Sequence, residues 1–161
     1  MKLNLLTPKP SFMKAIITVI TMMTLYMPAD AQHNSEGLVN GYLKIKDALI
    51  RSDSKQAATL STSWLKVIEH EPAFKEKAGL IKAVSKITRT MDIETQRAAF
   101  AEASLVLWPL IKNAHQGHTD MYYMYCPMKK TYWISAEPEI RNPYYGAAML
   151  TCGNVADKKQ H

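Results

Sequence analysis

From Glu36 to Ala114 apolar residues recur at helical intervals, and only short joints interrupt them. A chain patterned this way must bury one apolar stripe per helix, and short joints make consecutive helices neighbours. Val39, Tyr42, Leu43, Lys46, Leu49 and Ile50 follow one stripe, with Lys44, Asp47 and Arg51 opposite. Ser52-Asp53-Ser54 offers N-cap oxygens to a second helix with Ala57, Leu60, Trp64, Val67 and Ile68, which Glu69 to Pro72 closes. A third segment runs from Phe74 through Ala78, Ile81, Val84 and Ile87 to Met91. A fourth starts near Asp92 and continues through Phe100, Ala103, Leu107 and Ile111, with Pro109 expected to interrupt and kink it. Trp64 and Trp108 read as core packing residues that can meet. The expected fold is mainly α: an antiparallel up-down four-helix bundle over residues 32–116.

The chain ahead of the bundle reads as an export signal. Lys14 precedes the apolar run from Ala15 to Tyr26, and Pro28 and Ala29-Asp30-Ala31 follow. That is a basic start, a short apolar core and an A-x-A cleavage site, so residues 1–31 are expected to be removed after Ala31. Met13 is an alternative start. The apolar run is short for a transmembrane helix, so no stable membrane insertion is expected after cleavage, and the location implied is periplasmic or secreted. The removed stretch holds three lysines (Lys2, Lys9, Lys14) and one acid (Asp30), so the net charge of +6 falls to +4. That mild excess is spread along the chain, and nucleic-acid binding, which wants a concentrated basic stripe, is excluded.

After Asn113 the chemistry changes. His115 and His118 lie in a polar linker, and from Met121 the chain fills with tyrosine and methionine. Met121 to Tyr125 and Thr131 to Ile134 are rich in β-formers around Pro127-Met128-Lys129-Lys130, which predicts a short hairpin. Asn142-Pro143, Gly146 and Gly153 mark further turns. Residues 117–155 are therefore expected to form a loop and hairpin cap on the bundle, in the same domain, with 156–161 as a tail.

Both cysteines of the chain lie in this cap, each beside a methionine: Cys126-Pro127-Met128 and Met149-Leu150-Thr151-Cys152. Thiolate and thioether are soft donors that suit Cu(I). Cys126 and Met128 are two apart, a spacing that shares a strand face or converges in a tight turn. Met149 and Cys152 are three apart, neighbours in a helical turn. Together Cys126, Met128, Met149 and Cys152 make a candidate S4 set, which aromatic residues can shield. Zinc fits less well, because thioethers serve it poorly and no histidine pair completes the set. In an exported chain the same two cysteines can instead form a Cys126–Cys152 disulfide. Closing that loop would stabilise the cap by ~3–4 kcal/mol in the chain-entropy account. Both readings stay open.

Four blocks of the cap carry a resemblance. Tyr125-Cys126-Pro127-Met128, Trp133-Ile134-Ser135, Ile140-Arg141-Asn142-Pro143-Tyr144-Tyr145-Gly146 and Met149-Leu150-Thr151-Cys152-Gly153 resemble the bacterial domain of unknown function 3347 family. Leu43 to Leu49 and Asp92 to Phe100 in the helical part agree. The resemblance runs from about residue 37 to 155, with isoleucine at 134 in place of a more usual leucine. It implies an exported protein, of a kind sometimes fused to periplasmic adaptor subunits of heavy-metal efflux pumps. Metal handling outside the cytoplasm, with copper and efflux components as cargo and partners, is what it implies in turn. No enzyme is expected. Glu69, His70 and Glu71 point different ways on a helix, and no Ser/His/Asp set, glycine-rich phosphate loop or two-histidine helix motif is present.

Overall fold

The computed structural model describes residues 35–114 and 119–160. The expected signal peptide, residues 1–31, and the linker histidines His115 and His118 lie outside the described residues. Four helices are followed by a small sheet: α1 (Ser35–Ile50), α2 (Ser54–His70), α3 (Lys77–Thr88), α4 (Ile93–Asn113), β1 (Met121–Cys126), β2 (Thr131–Ser135), a 3-10 turn (Gly146–Met149) and β3 (Asn154–Lys159). Each helix packs chiefly on the next, and α1 also touches α4.

Local chemistry sets the helix ends. Ser52 adopts φ 56°, and the Asp53 and Ser52 amides donate to the Ala48 and Leu49 carbonyls, a Schellman ending for α1. Asp53 then caps α2 by accepting from the Gln56 amide at 2.9 Å. Past its last residue, the Lys77 ammonium donates to the Glu69 and Glu71 carbonyls, so the start of α3 closes the end of α2. Asp92 caps α4 through the Thr95 amide at 2.8 Å.

The third helix is shorter than expected. Phe74 precedes it and Met91 follows it, 62 % exposed in the turn before the Asp92 cap. Its buried stripe is Leu80, Ala83, Val84 and Ile87, whereas Ala78 is exposed. Pro109 does not end α4. The ring sits on the exposed side, where the missing amide donor is tolerated, and the helix continues to Asn113.

Leu38, Tyr42, Ile45 and Leu49 of α1 meet Trp64 and Ile68 of α2, the α3 stripe, and Phe100, Ala103 and Leu107 of α4 in one core. Gly41 lets the Trp64 indole lie directly on the α1 backbone: a Cβ there would sit 1.9 Å from Trp64 Cδ1. The two tryptophans take different partners. Trp64 meets the Tyr42 edge at 6.1 Å, and Trp108 stacks on Tyr123 at 4.7 Å with planes 2° apart.

The expected hairpin is present, and a third strand joins it. The sheet is antiparallel with order β2-β1-β3. Cys126 pairs with Thr131 across the hairpin end, and Tyr125 pairs with Asn154 on the other side. Residues 156–159, set aside above as a tail, are part of β3. Ala156, Asp157, Lys158 and Lys159 carry no apolar alternation and none is buried, so pairing with β1 makes them a strand. Tyr42 joins sheet to helices: its hydroxyl bonds Ser104 Oγ at 2.6 Å and accepts from the Ile134 amide of β2 at 3.0 Å.

Candidate functional site

The site begins at the end of β1. Residues paired across the hairpin share a face, so Met124 and Trp133 lie on one side of the sheet, and alternation adds Cys126 to that side. All three are fully buried. One residue later the chain turns out of the sheet at Pro127. Lys130 closes the turn at φ 51°, and Met128 within it is 60 % exposed. The two residues of the Cys-Pro-Met cluster thus have opposite surroundings.

The return segment brings the second cysteine back through one buried side chain. Asn142 has no exposed surface, and its Nδ2 donates both to Cys126 Sγ at 3.1 Å and to the Cys152 carbonyl at 2.7 Å. Its Oδ1 accepts from the Tyr144 amide at 2.8 Å, and its own amide donates to the Leu150 carbonyl at 2.7 Å. The segment from 142 to 152 is therefore a closed loop pinned at its neck. Met149 belongs to that neck: it is half-buried in the 3-10 turn, and its carbonyl accepts from the Cys152 amide at 3.1 Å.

Of the four candidate ligands, the fold draws Cys126 and Cys152 to one amide group. It links Met149 to Cys152 through a single turn and leaves Met128 on the surface. Cys126 and Cys152 are both free thiols, the first buried and the second partly exposed. Among the described residues no group of three His, Cys, Asp or Glu side chains converges. What this neighbourhood offers a ligand is sulfur.

A second anchor holds the loop to the helices. Arg97, 7 % exposed, donates from Nε to the Pro143 carbonyl at 2.8 Å and from Nη2 to the Leu49 carbonyl and Ser52 Oγ at 3.3 and 3.0 Å. Its Nη1 reaches Glu94 Oε1 at 2.7 Å, and the other oxygen of Glu94 accepts from Lys129 of the hairpin turn at 2.8 Å. These bonds from Lys129 and Arg97 hold the Glu94 carboxyl below its usual range. Between α4 and the hairpin they frame a half-open pocket of about 260 Å³, lined by Ala98, Ala101, Thr131 and Tyr144 as well.

Close packing around the loop demands particular residues. Gly146, at φ 55°, leaves room for Arg97 and Ser52; a Cβ would come within 3.0 Å of Arg97 Nη2 and 2.7 Å of Ser52 Oγ. At Gly153, φ 148°, a Cβ would fall 2.7 Å from Trp133 Cη2 and 2.9 Å from the Tyr125 carbonyl. Tyr144 lies edge-on to Trp133 at 6.1 Å and donates its hydroxyl to the Tyr132 carbonyl. Burial pushes its phenol, and that of Tyr42, well above the ordinary value, and raises Tyr123 to about 12.

Asn142 and Arg97, which assemble the site, are not singled out by sequence reasoning. Asn142-Pro143 carries a turn signal, and Arg97 stands three residues after Glu94, the spacing of an ordinary surface ion pair on a helix. Nothing in their neighbours shows that one reaches a sulfur and the other a distant carbonyl.

No helix among the described residues is long and apolar enough to cross a membrane. No curated protein and no solved structure matches the chain. A family model does match, over residues 38–119, a stretch that covers nearly all of the four helices and stops just before the strand that carries Cys126. By that match the chain belongs to the DUF3347 family of proteins of unknown function.

Proposed function

We propose that this is an exported binding protein, not an enzyme, that carries a soft metal ion, Cu(I), in periplasmic metal handling or efflux. The helices, read as an antiparallel up-down array, serve as the rigid support, and the ligands are Cys126 and Cys152 with Met149 and Met128. One observation carries the proposal: a single buried amide, that of Asn142, is bonded to the sulfur of Cys126 and to the peptide of Cys152. An N–H donor aimed at a sulfur orients it, and donors around a ligating sulfur tune the metal it holds. Thioethers beside two thiolates complete a set that Cu(I) accepts with little geometric demand. Efflux components are the partners this reading implies. Anaerobic titration of the reduced protein with Cu(I) against a competing chelator tests it. One ion should bind per chain, binding should vanish in the Cys126→Ser/Cys152→Ser variant, and Met149→Leu should weaken it more than Met128→Leu. An unchanged titration of the double variant would reject the proposal.

The same shared amide supports a second reading, a metal-free adaptor module whose cap is stapled by a Cys126–Cys152 disulfide. The mass of the protein isolated from its native compartment, with thiols blocked at lysis, separates the two.

A further inference from the structure

We infer that Cys126 and Cys152 are a convertible thiol–disulfide pair that opens and closes the proposed metal site. Cys152 is the sulfur that meets an external disulfide, and Cys126 the one that resolves it. The inference rests on the reading of these residues as one metal site, and adds a regulation and a co-reactant to it.

Unequal exposure gives the order of reaction. Exchange requires a thiolate to approach a disulfide sulfur directly, so access decides which thiol reacts first. Cys126 has no exposed surface, whereas Cys152 is partly exposed between the 3-10 turn and β3. A small disulfide can reach Cys152 and cannot reach Cys126.

Proximity gives the second step. Asn142 Nδ2 lies 3.1 Å from Cys126 Sγ and 2.7 Å from the Cys152 carbonyl. The pairing of Tyr125 with Asn154 sets Cys126, at the end of β1, beside the segment that enters β3 two residues after Cys152. One amide thus holds the Cys126 sulfur and the Cys152 backbone, and on this inference the Cys152 side chain turns to Cys126 and meets it at a high effective concentration. With oxidised glutathione as co-reactant, the Cys152 thiolate attacks one of its sulfurs, forming a mixed disulfide and expelling one glutathione thiolate. Cys126 then attacks the Cys152 sulfur, forming the internal disulfide and expelling the second glutathione thiolate, which takes up the Cys126 proton. Two protein thiols are oxidised, and one external disulfide is reduced to two thiols. The closed form has no thiolate left for a metal. Asn142 opposes closure, because bonding to Cys152 draws Cys126 Sγ away from the amide that donates to it at 3.1 Å.

The test is to incubate reduced protein with oxidised glutathione, then read intact mass and Cu(I) affinity. The wild type should lose two hydrogens, retain no glutathione and bind Cu(I) at least tenfold more weakly, all reversed by a reductant. Cys126→Ser should trap a glutathione adduct on Cys152, while Cys152→Ser stays unmodified. Asn142→Asp, which keeps the shape but removes both donors, should close at a less oxidising glutathione ratio. The serine variants keep the inference testable should that one fold poorly. A lasting glutathione adduct on the wild type, equal modification of the two serine variants, or two unreacted thiols would each overturn it. Closure without any Cu(I) binding by the reduced form would remove the metal reading and leave the thiol pair standing. Cu(I) binding through both cysteines without closure would do the reverse.

Discussion

In the helical region, residues 35–114, order comes from many interchangeable apolar contacts around Tyr42, Trp64 and Phe100. In the cap, residues 119–160, Met124, Trp133 and Ile134 join that core, but the loops are fixed by a few polar side chains with several partners each, Asn142 of the cap and Arg97 of α4 above all. Apolar packing tolerates substitution but aims no particular atom at another. A buried amide or guanidinium does aim, at the risk that losing it strands every group it served. The difference suits the cap to the proposed site. A site needs directed atoms, and the helices supply a floor rigid enough to direct them from.

The sharpest way to break this contrast is to remove a core residue that serves both regions. Trp64 is 1 % exposed and meets Tyr42, whose hydroxyl reaches the β2 backbone. Trp64→Ala should cost about 3–5 kcal/mol, the usual range for truncating a buried aromatic. Helix and cap should still be lost in one urea transition, followed by far-UV circular dichroism and by tyrosine fluorescence. Two separate transitions would mean that the cap is not supported through Tyr42.

A smaller change should act on the cap alone. Arg97→Met keeps the aliphatic bulk and removes the donors to the Pro143 and Leu49 carbonyls and to Ser52. The expected cost is about 1–3 kcal/mol, the range for leaving buried acceptors unpaired. Amide exchange should quicken through residues 142–152 while α2 and α3 keep their protection. Equal loss of protection in those helices would show that Arg97 supports the core rather than the loop.

The helices are legible in the sequence because their cause is local. Asp53 and Asp92 stand where a cap is needed, and Tyr42, Leu49 and Ile50 of the expected first stripe are buried, while Leu38 and Ile45 fill the core beside them and Val39 and Leu43 are only half-buried. The third helix is misjudged at both ends for the same kind of reason. Phe74 and Met91 continue an apolar rhythm, but the turn before Lys77 and the cap at Asp92 override it. β3 is illegible, since Asn-Val-Ala-Asp-Lys-Lys has only one β-branched residue and becomes a strand by pairing with β1. The paired clusters of the cap bring four sulfurs to notice, but not their unequal burial. Met128 and Cys126 look equivalent in sequence, and a four-residue turn separates an exposed thioether from a buried thiol.

The mildest perturbation tests whether the hairpin turn needs its ion pair at all. Glu94 joins Lys129 of the turn to Arg97 of the loop anchor, and these two hold its carboxyl below the usual range. A depressed carboxyl contributes stability that is present above its unfolded value of about 4.3 and is lost as pH falls through the folded one. Its side chain is 54 % exposed, so solvent screening should keep that contribution under ~1 kcal/mol. Glu94→Gln should therefore match the wild type in stability below the folded value and fall slightly behind it above about pH 5, with the gap narrowing in high salt. Arg97 keeps its carbonyl partners in that variant, so the loop neck at Asn142 should be unaffected. A gap as large as that of Arg97→Met would mean that the carboxylate, not the guanidinium, is what fastens the cap to α4.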